Sequence, residues 1–243
     1  MQKILSIPLS AIYYLIFGAI LAIFHPIQWV CLNWFGYNAH KKSVDILCLF
    51  IVANTHVLGT TYKVIGLRNL PQNSPLIIIA NHQSMYDITS IIWFMRKIHP
   101  KFISKIELGK GIPSISYNLN HGGSVLIKRN DAKQSITAIK KMGEYIESTN
   151  RSAVIFPEGT RSKTGKPQKF AENGVKILCR YSPSAYVVPV TINNSWKLGK
   201  WGIFPLGLGS RVTLTIHPPM SVKDMPFQEL FQQTEKIITE SIA

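Results

Sequence analysis

The sequence predicts an α/β fold. A mixed, largely parallel sheet flanked by helices is preceded by an N-terminal membrane-associated helical region. Three observations carry that prediction. After Tyr62, short apolar runs alternate with helical periodicities, the pattern of strands joined by crossover helices. Charge is unevenly spread: residues 1–62 hold only Lys3, Lys41, Lys42 and Asp45, while the rest holds 24 basic and 11 acidic side chains, a net of +13. Ile4 to Phe24 is a run of 21 residues without a charge. The composition break near Tyr62 gives the expected division, with residues 1–62 as the helical region and 63–243 as the α/β domain.

The uncharged run Ile4–Phe24 is ~31 Å long as a helix, close to the ~30 Å of bilayer hydrocarbon. A second weakly polar stretch, Val44 to Gly59, is mostly Ile, Leu, Val and Phe. Trp29, Trp34, Tyr37, His40, Lys41 and Lys42 lie between them, residue types that settle at headgroup level. A signal peptide and a buried core helix compete with membrane contact. Lys3 offers a short n-region, but the run is long and no A-x-A site follows it. If the α/β domain is cytoplasmic, two full spans place Lys41 and Lys42 outside, against the positive-inside tendency. One full span places Lys3 outside and leaves Val44–Gly59 without an apolar partner. A two-helix unit within one leaflet keeps every lysine on one side and is the expected topology, with a conventional span by residues 4–24 as the alternative.

In the second region Leu76–Ala80 is fully apolar, as a buried central strand requires. Ser84–Lys97 reads as a helix and Lys101–Ser104 as a strand. Glu107–Asn118 is a weak helix containing Pro113, and Ser124–Ile127 is a strand. Asp131–Thr149 is a helix that opens on capping residues and sets Ile136, Ile139, Met142 and Ile146 on one face. Ala153–Phe156 is a strand halted by Pro157. Glu172–Tyr181 is helical, Tyr186–Ile192 and Arg211–His217 are strands, and Phe227–Ile242 is a closing helix.

The net charge of +15 over 243 residues demands an anionic partner or surface: nucleic acid, anionic lipid or a phosphorylated substrate. Cys31, Cys48 and Cys179 form neither a disulfide framework nor a CxxC pattern and suit a reducing compartment. The seven His show no HExxH or other metal-site spacing, so no metal is expected.

Four segments carry candidate chemistry. Asn81-His82-Gln83-Ser84-Met85-Tyr86-Asp87 sits at a strand-to-helix turn, where open α/β sheets place ligands. A carboxylate bonded to a His fixes its tautomer and stabilises the imidazolium. Residues five apart on a continuous helix do not meet, so His82 must lie in the turn and Asp87 in the first helical turn. Ser84-x-x-Asp87 has the form of a capping pattern, so spacing alone leaves Asp87 as a mere cap. Phe156-Pro157-Glu158-Gly159-Thr160-Arg161-Ser162 also follows an apolar strand. Its guanidinium, hydroxyl and backbone N–H groups can hold a phosphate, though an ordinary surface turn has the same look. The run Gly123 to Arg129 delivers Arg129 to a strand end, and Val187-Val188-Pro189-Val190 is an apolar strand with a proline.

Together these segments resemble the lysophosphatidic acid acyltransferase family of glycerolipid acyltransferases. Asn81, His82 and Asp87 match its NHxxxxD motif, and Gly123 through Arg129 match its second. Phe156 to Ser162 match FPEGTRS without change, and Pro189 matches the fourth. Order and spacing agree over about residues 62–217. Lys128 stands where an acidic or polar residue is expected, and Lys163–Asn173 aligns with nothing. The resemblance implies a glycerol-3-phosphate acyltransferase-like fold, with residues 63–243 as the catalytic domain. It implies transfer of a fatty acyl group from acyl-CoA or acyl-carrier protein to the sn-2 hydroxyl of 1-acyl-glycerol-3-phosphate, giving phosphatidic acid. No cofactor is implied beyond the thioester co-substrate. His82 and Asp87 are then catalytic, and Arg129, Glu158, Gly159, Thr160, Arg161 and Lys105 bind substrate. The implied partners are the bilayer, a lysophospholipid acceptor and the donor, without nucleic acid. The implied location is the cytoplasmic face of a membrane, in a bacterium the inner one.

Other readings stay open at this point. The acceptor can be glycerol-3-phosphate or another lysolipid. A serine hydrolase using Ser84 lacks the G-x-S-x-G elbow. A non-catalytic module binding anionic lipid or nucleic acid fits the charge, but the basic residues form no aromatic-interleaved stripe.

Overall fold

The computed structural model describes residues 2–243. Eight strands form one sheet: β1 (Thr61–Ile65), β2 (Leu76–Ala80), β3 (Pro100–Lys105), β4 (Val125–Ile127), β5 (Ser152–Ile155), β6 (Tyr186–Asn193), β7 (Arg211–Ile216) and β8 (Met220–Ser221). Their order is β1-β7-β6-β2-β5-β3-β4, with β8 also on β6. The pairs β1–β7, β6–β2, β2–β5, β5–β3 and β3–β4 are parallel, and only β6–β7 and β6–β8 are antiparallel. The mixed, largely parallel sheet is therefore as expected. β1 and β8 are additions to the sequence reading. β1 alternates polar and apolar residues too briefly to stand out, and β8 is a two-residue continuation along β6.

Helices cover both faces. In β2, Leu76, Ile78 and Ala80 pack with Val44, Cys48 and Ile91 on one side. Ile77 and Ile79 pack with Ile139, Met142, Val175, Leu178 and Leu230 on the other. Successive side chains of a strand point to opposite faces, so a strand buried on both must be apolar throughout. The first layer holds α2 (Tyr37–Asn54) and α3 (Tyr86–Phe94). The second holds α5 (Ala132–Thr149), α6 (Glu172–Tyr181) and α7 (Phe227–Glu240). The Asp131 carboxylate caps α5 by accepting the Gln134 N–H at 2.9 Å. Ile136, expected on the buried face of α5, is 52% exposed, because that face begins at Ile139.

Two further expectations change. The Glu107–Asn118 helix is a 3-10 turn at Ile106–Gly109 followed by α4 (Ile115–His121). Pro113 cannot donate to a helix that reaches it, and Gly111 and Ser114 have positive φ. The helix expected from Ser84 begins at Tyr86, because the Gln83 and Ser84 N–H groups are given to the Asp87 carboxylate instead.

At the N-terminus α1 runs Gln2–Phe35, past the expected end at Phe24 and through Pro26. Gly36 (φ 79) reverses the chain into α2. Residues of α1 turned toward the protein follow helical spacing: Ser6, Ser10, Tyr13, Ile20, Leu21 and Gln28. The outward residues include Ile4, Leu5, Ile12, Leu15, Ile16, Ile23 and Ile27. This helix thus buries Ser6, Ser10 and Gln28 together with Tyr13, Ile20 and Leu21, and leaves an apolar stripe facing out, which a helix covering a soluble core does not do. It is long and apolar enough to cross a membrane. The charge break at Tyr62 falls inside β1, the strand that follows the helical pair.

Candidate active site

β2, β5, β3 and β4 are consecutive neighbours in the sheet and parallel to one another. Their carboxyl ends therefore open on one edge, and each delivers one of the singled-out segments. His82 follows β2 and the Phe156–Ser162 turn follows β5. Lys105 ends β3, and Arg129 lies just past β4, whose Ile127 is the register partner of Lys105. Three strand spacings separate β2 from β4, ~14 Å in all.

The His82 turn is pinned from several directions. The Asn81 side-chain amide donates to the Ile192 carbonyl at 2.8 Å and accepts the Ile192 N–H at 2.7 Å, tying the end of β2 to β6. The His82 N–H donates to Glu158 Oε1 at 2.7 Å, and the His82 carbonyl accepts the Ser162 N–H at 2.7 Å. The imidazole lies flat on the Phe156 ring, with centroids 4.1 Å apart and planes 16° apart. One motif thus holds the backbone and ring of the other.

Asp87 stands in the first turn of α3 with its carboxylate fully buried. Oδ2 accepts from the Gln83 N–H at 2.7 Å, the Ser84 N–H at 2.8 Å and His82 Nδ1 at 2.9 Å. Oδ1 accepts the Ser195 hydroxyl at 2.6 Å. The two sequence readings of Asp87 merge: it caps the turn and holds the histidine. A carboxylate oxygen accepts, so Nδ1 is the nitrogen that donates to Asp87, and Nε2 is the nitrogen turned away from it. Nε2 makes no hydrogen bond to any described residue, and the side chain keeps an opening to solvent. Ser84 is buried, and its Oγ accepts from the Tyr86 N–H, not from the histidine. The serine-hydrolase arrangement is absent here.

Glu158, expected among the substrate contacts, braces the His82 turn through its first carboxylate oxygen. It is buried, and its second oxygen accepts the Gln168 N–H at 2.9 Å. Burial raises its pKa, and the hydrogen bonds from His82 and Gln168 partly offset that. Gly159, Thr160 and Arg161 form the exposed part of the turn. Arg161, Arg129 and Lys105 are all exposed. Among the described residues none of the three is paired with a carboxylate. A row of free cations beside the dyad suits an anionic substrate. No group of three or more His, Cys, Asp or Glu among the described residues could hold a metal ion.

Sequence reasoning missed Ser195, Gln83 and the role of Phe156. Ser195 is 108 residues from Asp87 along the chain. The available signal was the one that found His82: Asn193-Asn194-Ser195 is a polar break at the end of the apolar strand β6. Gln83 bridges the same loops, accepting the Ser195 N–H and donating to the Gly165 carbonyl.

The acyltransferase family model matches residues 61–193, which contain all four motifs. A chloroplastic 1-acyl-sn-glycerol-3-phosphate acyltransferase of Arabidopsis thaliana is 32% identical over 159 residues, 64% of this chain and 42% of that protein. The chain thus spans less than half the length of such plant relatives. A 1-acyl-sn-glycerol-3-phosphate acyltransferase of Pseudomonas aeruginosa is 23% identical over 239 residues, 96% of this chain and 90% of that protein. The crystal structure of the 1-acyl-sn-glycerophosphate acyltransferase of Thermotoga maritima superposes with a TM-score of 0.77 at 24% identity, covering 99% of this chain and 95% of that one. It shares the fold from α1 onward.

Proposed function

Because this chain belongs to the acyltransferase family, we propose that it moves a fatty acyl group from a thioester, acyl-CoA or acyl-carrier protein, to the sn-2 hydroxyl of 1-acyl-glycerol-3-phosphate, giving phosphatidic acid. The observation that carries the reading is the His82–Asp87 pair, with the free Nε2 beside unpaired Arg161, Arg129 and Lys105. The names of the relatives point to the same acceptor.

The acceptor phosphate lies against Arg161, Arg129 and Lys105, helped by the Gly159–Thr160 turn. Its hydroxyl donates to His82 Nε2. As the hydroxyl oxygen bonds to the thioester carbonyl carbon, Nε2 takes the proton and the carbonyl oxygen becomes an oxyanion. Asp87 then faces an imidazolium through Nδ1–H. Collapse of the tetrahedral intermediate breaks the carbon–sulfur bond, and the thiolate recovers the proton from Nε2. No covalent acyl-enzyme is needed, because a thioester is already activated. No metal or other cofactor has a part in these steps. General base catalysis is worth roughly 10²–10⁴-fold.

The same reading places α1 and α2 in one leaflet, on the cytoplasmic side if the donor is CoA or a carrier protein. Leu21 and His25 of α1 bond to Ser114, Asn33 bonds to Tyr117, and Ser10 bonds to Leu206. A helix fastened along its side to a polar domain cannot be wrapped by hydrocarbon all round. Lying in the interface with its apolar stripe down satisfies both faces. The decisive experiment is an acyl-transfer assay on the full chain in lipid, crossing acyl-CoA and acyl-carrier protein with 1-acyl-glycerol-3-phosphate, glycerol-3-phosphate and another lysolipid. Turnover is expected with the first acceptor. Turnover confined to another acceptor overturns the assignment.

A further inference from the structure

We propose that the segment from Trp201 to Phe204 is a second membrane-contacting element, entering the lipid interface beside α1 and fixing the tilt of the active site on the bilayer. This rests on the reading of α1 as membrane-associated. Ile203 is 83% exposed and Phe204 51%, side by side at the tip of the connection between β6 and β7. Single exposed apolar residues are ordinary, but these two extend a larger surface. The Tyr14 hydroxyl donates to the Ile203 carbonyl at 2.5 Å, and the Tyr14 and Phe204 rings lie 6.4 Å apart. The next residue of α1, Leu15, is 75% exposed. Leu206 N–H donates to Ser10 Oγ at 2.8 Å, and Lys200 Nζ to Gln2 Oε1 at 3.1 Å. The loop tip is thus stapled along the first turns of α1 and continues its outward apolar stripe.

The rim has the chemistry of a lipid interface. Lys200 Nζ lies 4.3 Å over the Trp201 ring, and Lys197 borders Trp196. Neither lysine is paired with a carboxylate among the described residues. An apolar tip below a belt of tryptophan and lysine fits anionic headgroups over acyl chains. A second copy of the chain is a poorer occupant, since it brings another surface of a +15 molecule. The contact reaches the active site. Leu198 and Leu206 pack with Tyr13 and Tyr86, next to Asp87 in sequence, and the connection begins at Ser195, which holds the Asp87 carboxylate.

The test uses the full chain. With Cys31→Ser, Cys48 and Cys179 are buried, so Ile203→Cys or Leu15→Cys gives one reactive thiol for an environment-sensitive fluorophore. Vesicles of phosphatidylcholine and phosphatidylglycerol are added, some carrying nitroxide on the acyl chain. Both probes are expected to shift to the blue and be quenched by the nitroxide. A quenched probe at residue 15 with an unquenched one at 203 overturns the proposal and leaves the reading of α1 standing. Two unquenched probes overturn both. A shift at 203 that needs only more protein assigns the surface to self-association and overturns the proposal. In a second arm Ile203→Asp/Phe204→Asp is expected to lose roughly tenfold in turnover of vesicle-borne acceptor, given the apolar burial removed. Turnover of a short-chain soluble acceptor stays within about twofold of wild type, the loss being confined to lipid-borne substrate. Equal loss on both overturns the proposal.

Discussion

The His82–Asp87 pair owes its shape to hydrogen bonds from distant residues. Replacing His82 by Ala removes the proposed base, and turnover is expected to fall by about 10²–10⁴-fold with the fold intact. Retention of more than a tenth of wild-type kcat would refute its role. Asp87→Asn keeps the volume, but its amide can present a donor where three donors now converge, so most of the rate should go. Ser195→Ala removes one hydrogen bond to the carboxylate, a class worth about 1.5–3 kcal/mol. A roughly tenfold loss of kcat at unchanged acceptor KM is expected, and less than about twofold would remove Ser195 from the support of Asp87. Glu158→Gln sets an amide N–H₂ against the N–H of His82 or Gln168. A buried unsatisfied donor costs about 1–3 kcal/mol, so kcat should drop by roughly tenfold or more while acceptor KM holds. A raised acceptor KM instead would return Glu158 to the substrate contacts.

Among elements, the sheet edge is sensitive where backbones meet closely. Gly66, just after β1, has φ +85, and a Cβ there would lie 2.0 Å from the Ile216 carbonyl at the end of β7. Gly66→Ala is therefore expected to lower Tm in detergent by at least about 5 °C, the scale of a loss of 1–2 kcal/mol or more in a chain of this size. An unchanged Tm would mean that the two strands separate easily. Some helix boundaries were legible in the sequence, as at α6, predicted and observed at Glu172–Tyr181. They were less legible at α1, where Pro26 reads as a stop but the helix runs on to Phe35. Packing against α2 and α4 outweighs the hydrogen bond that proline forfeits.

The whole molecule is layered, with α1 packed on α2 on one side of the sheet and α5 and α6 covering the other. A cysteine placed between Gly36 and Lys42 in a variant without native Cys tests the one-leaflet arrangement. Labelling by an impermeant reagent is expected only after the membrane is opened, and labelling from outside intact cells would end that arrangement. A pH dependence belongs to the opposite edge of the sheet from the active site. Lys101 opens β3 and is buried, which lowers its pKa to about 7, with Arg151 and Lys41 adding to the effect and Asp45 opposing it. The folded chain thus holds this amine neutral above about pH 7, whereas the unfolded chain holds it protonated up to its ordinary value near 10.5. The unfolded state binds more protons across that window, so stability rises as pH climbs from 7 toward 10. Lys101→Met should flatten that rise in Tm, and an unaltered slope would show that the amine is solvated.

The family, the pairing of His82 with Asp87 and the long apolar helix were all written in local sequence. A buried parallel strand must be apolar, and the polar residues that break it mark the catalytic edge, so NHxxxxD and FPEGTRS could be placed before any fold was known. A helix long and apolar enough to cross a membrane needs a long run without charge, which Ile4–Phe24 displays. What the tertiary structure alone decided is how the motifs complete one another. Asp87 needed Ser195, His82 needed Phe156 and Glu158, and Asn81 needed Ile192. Each partner is 76 to 111 residues from the motif it serves, or stacks on it from a neighbouring strand. Such contacts leave no periodicity or spacing in the sequence, because a hydrogen bond across a sheet depends on strand order and register. Both are settled only when the buried faces close on each other.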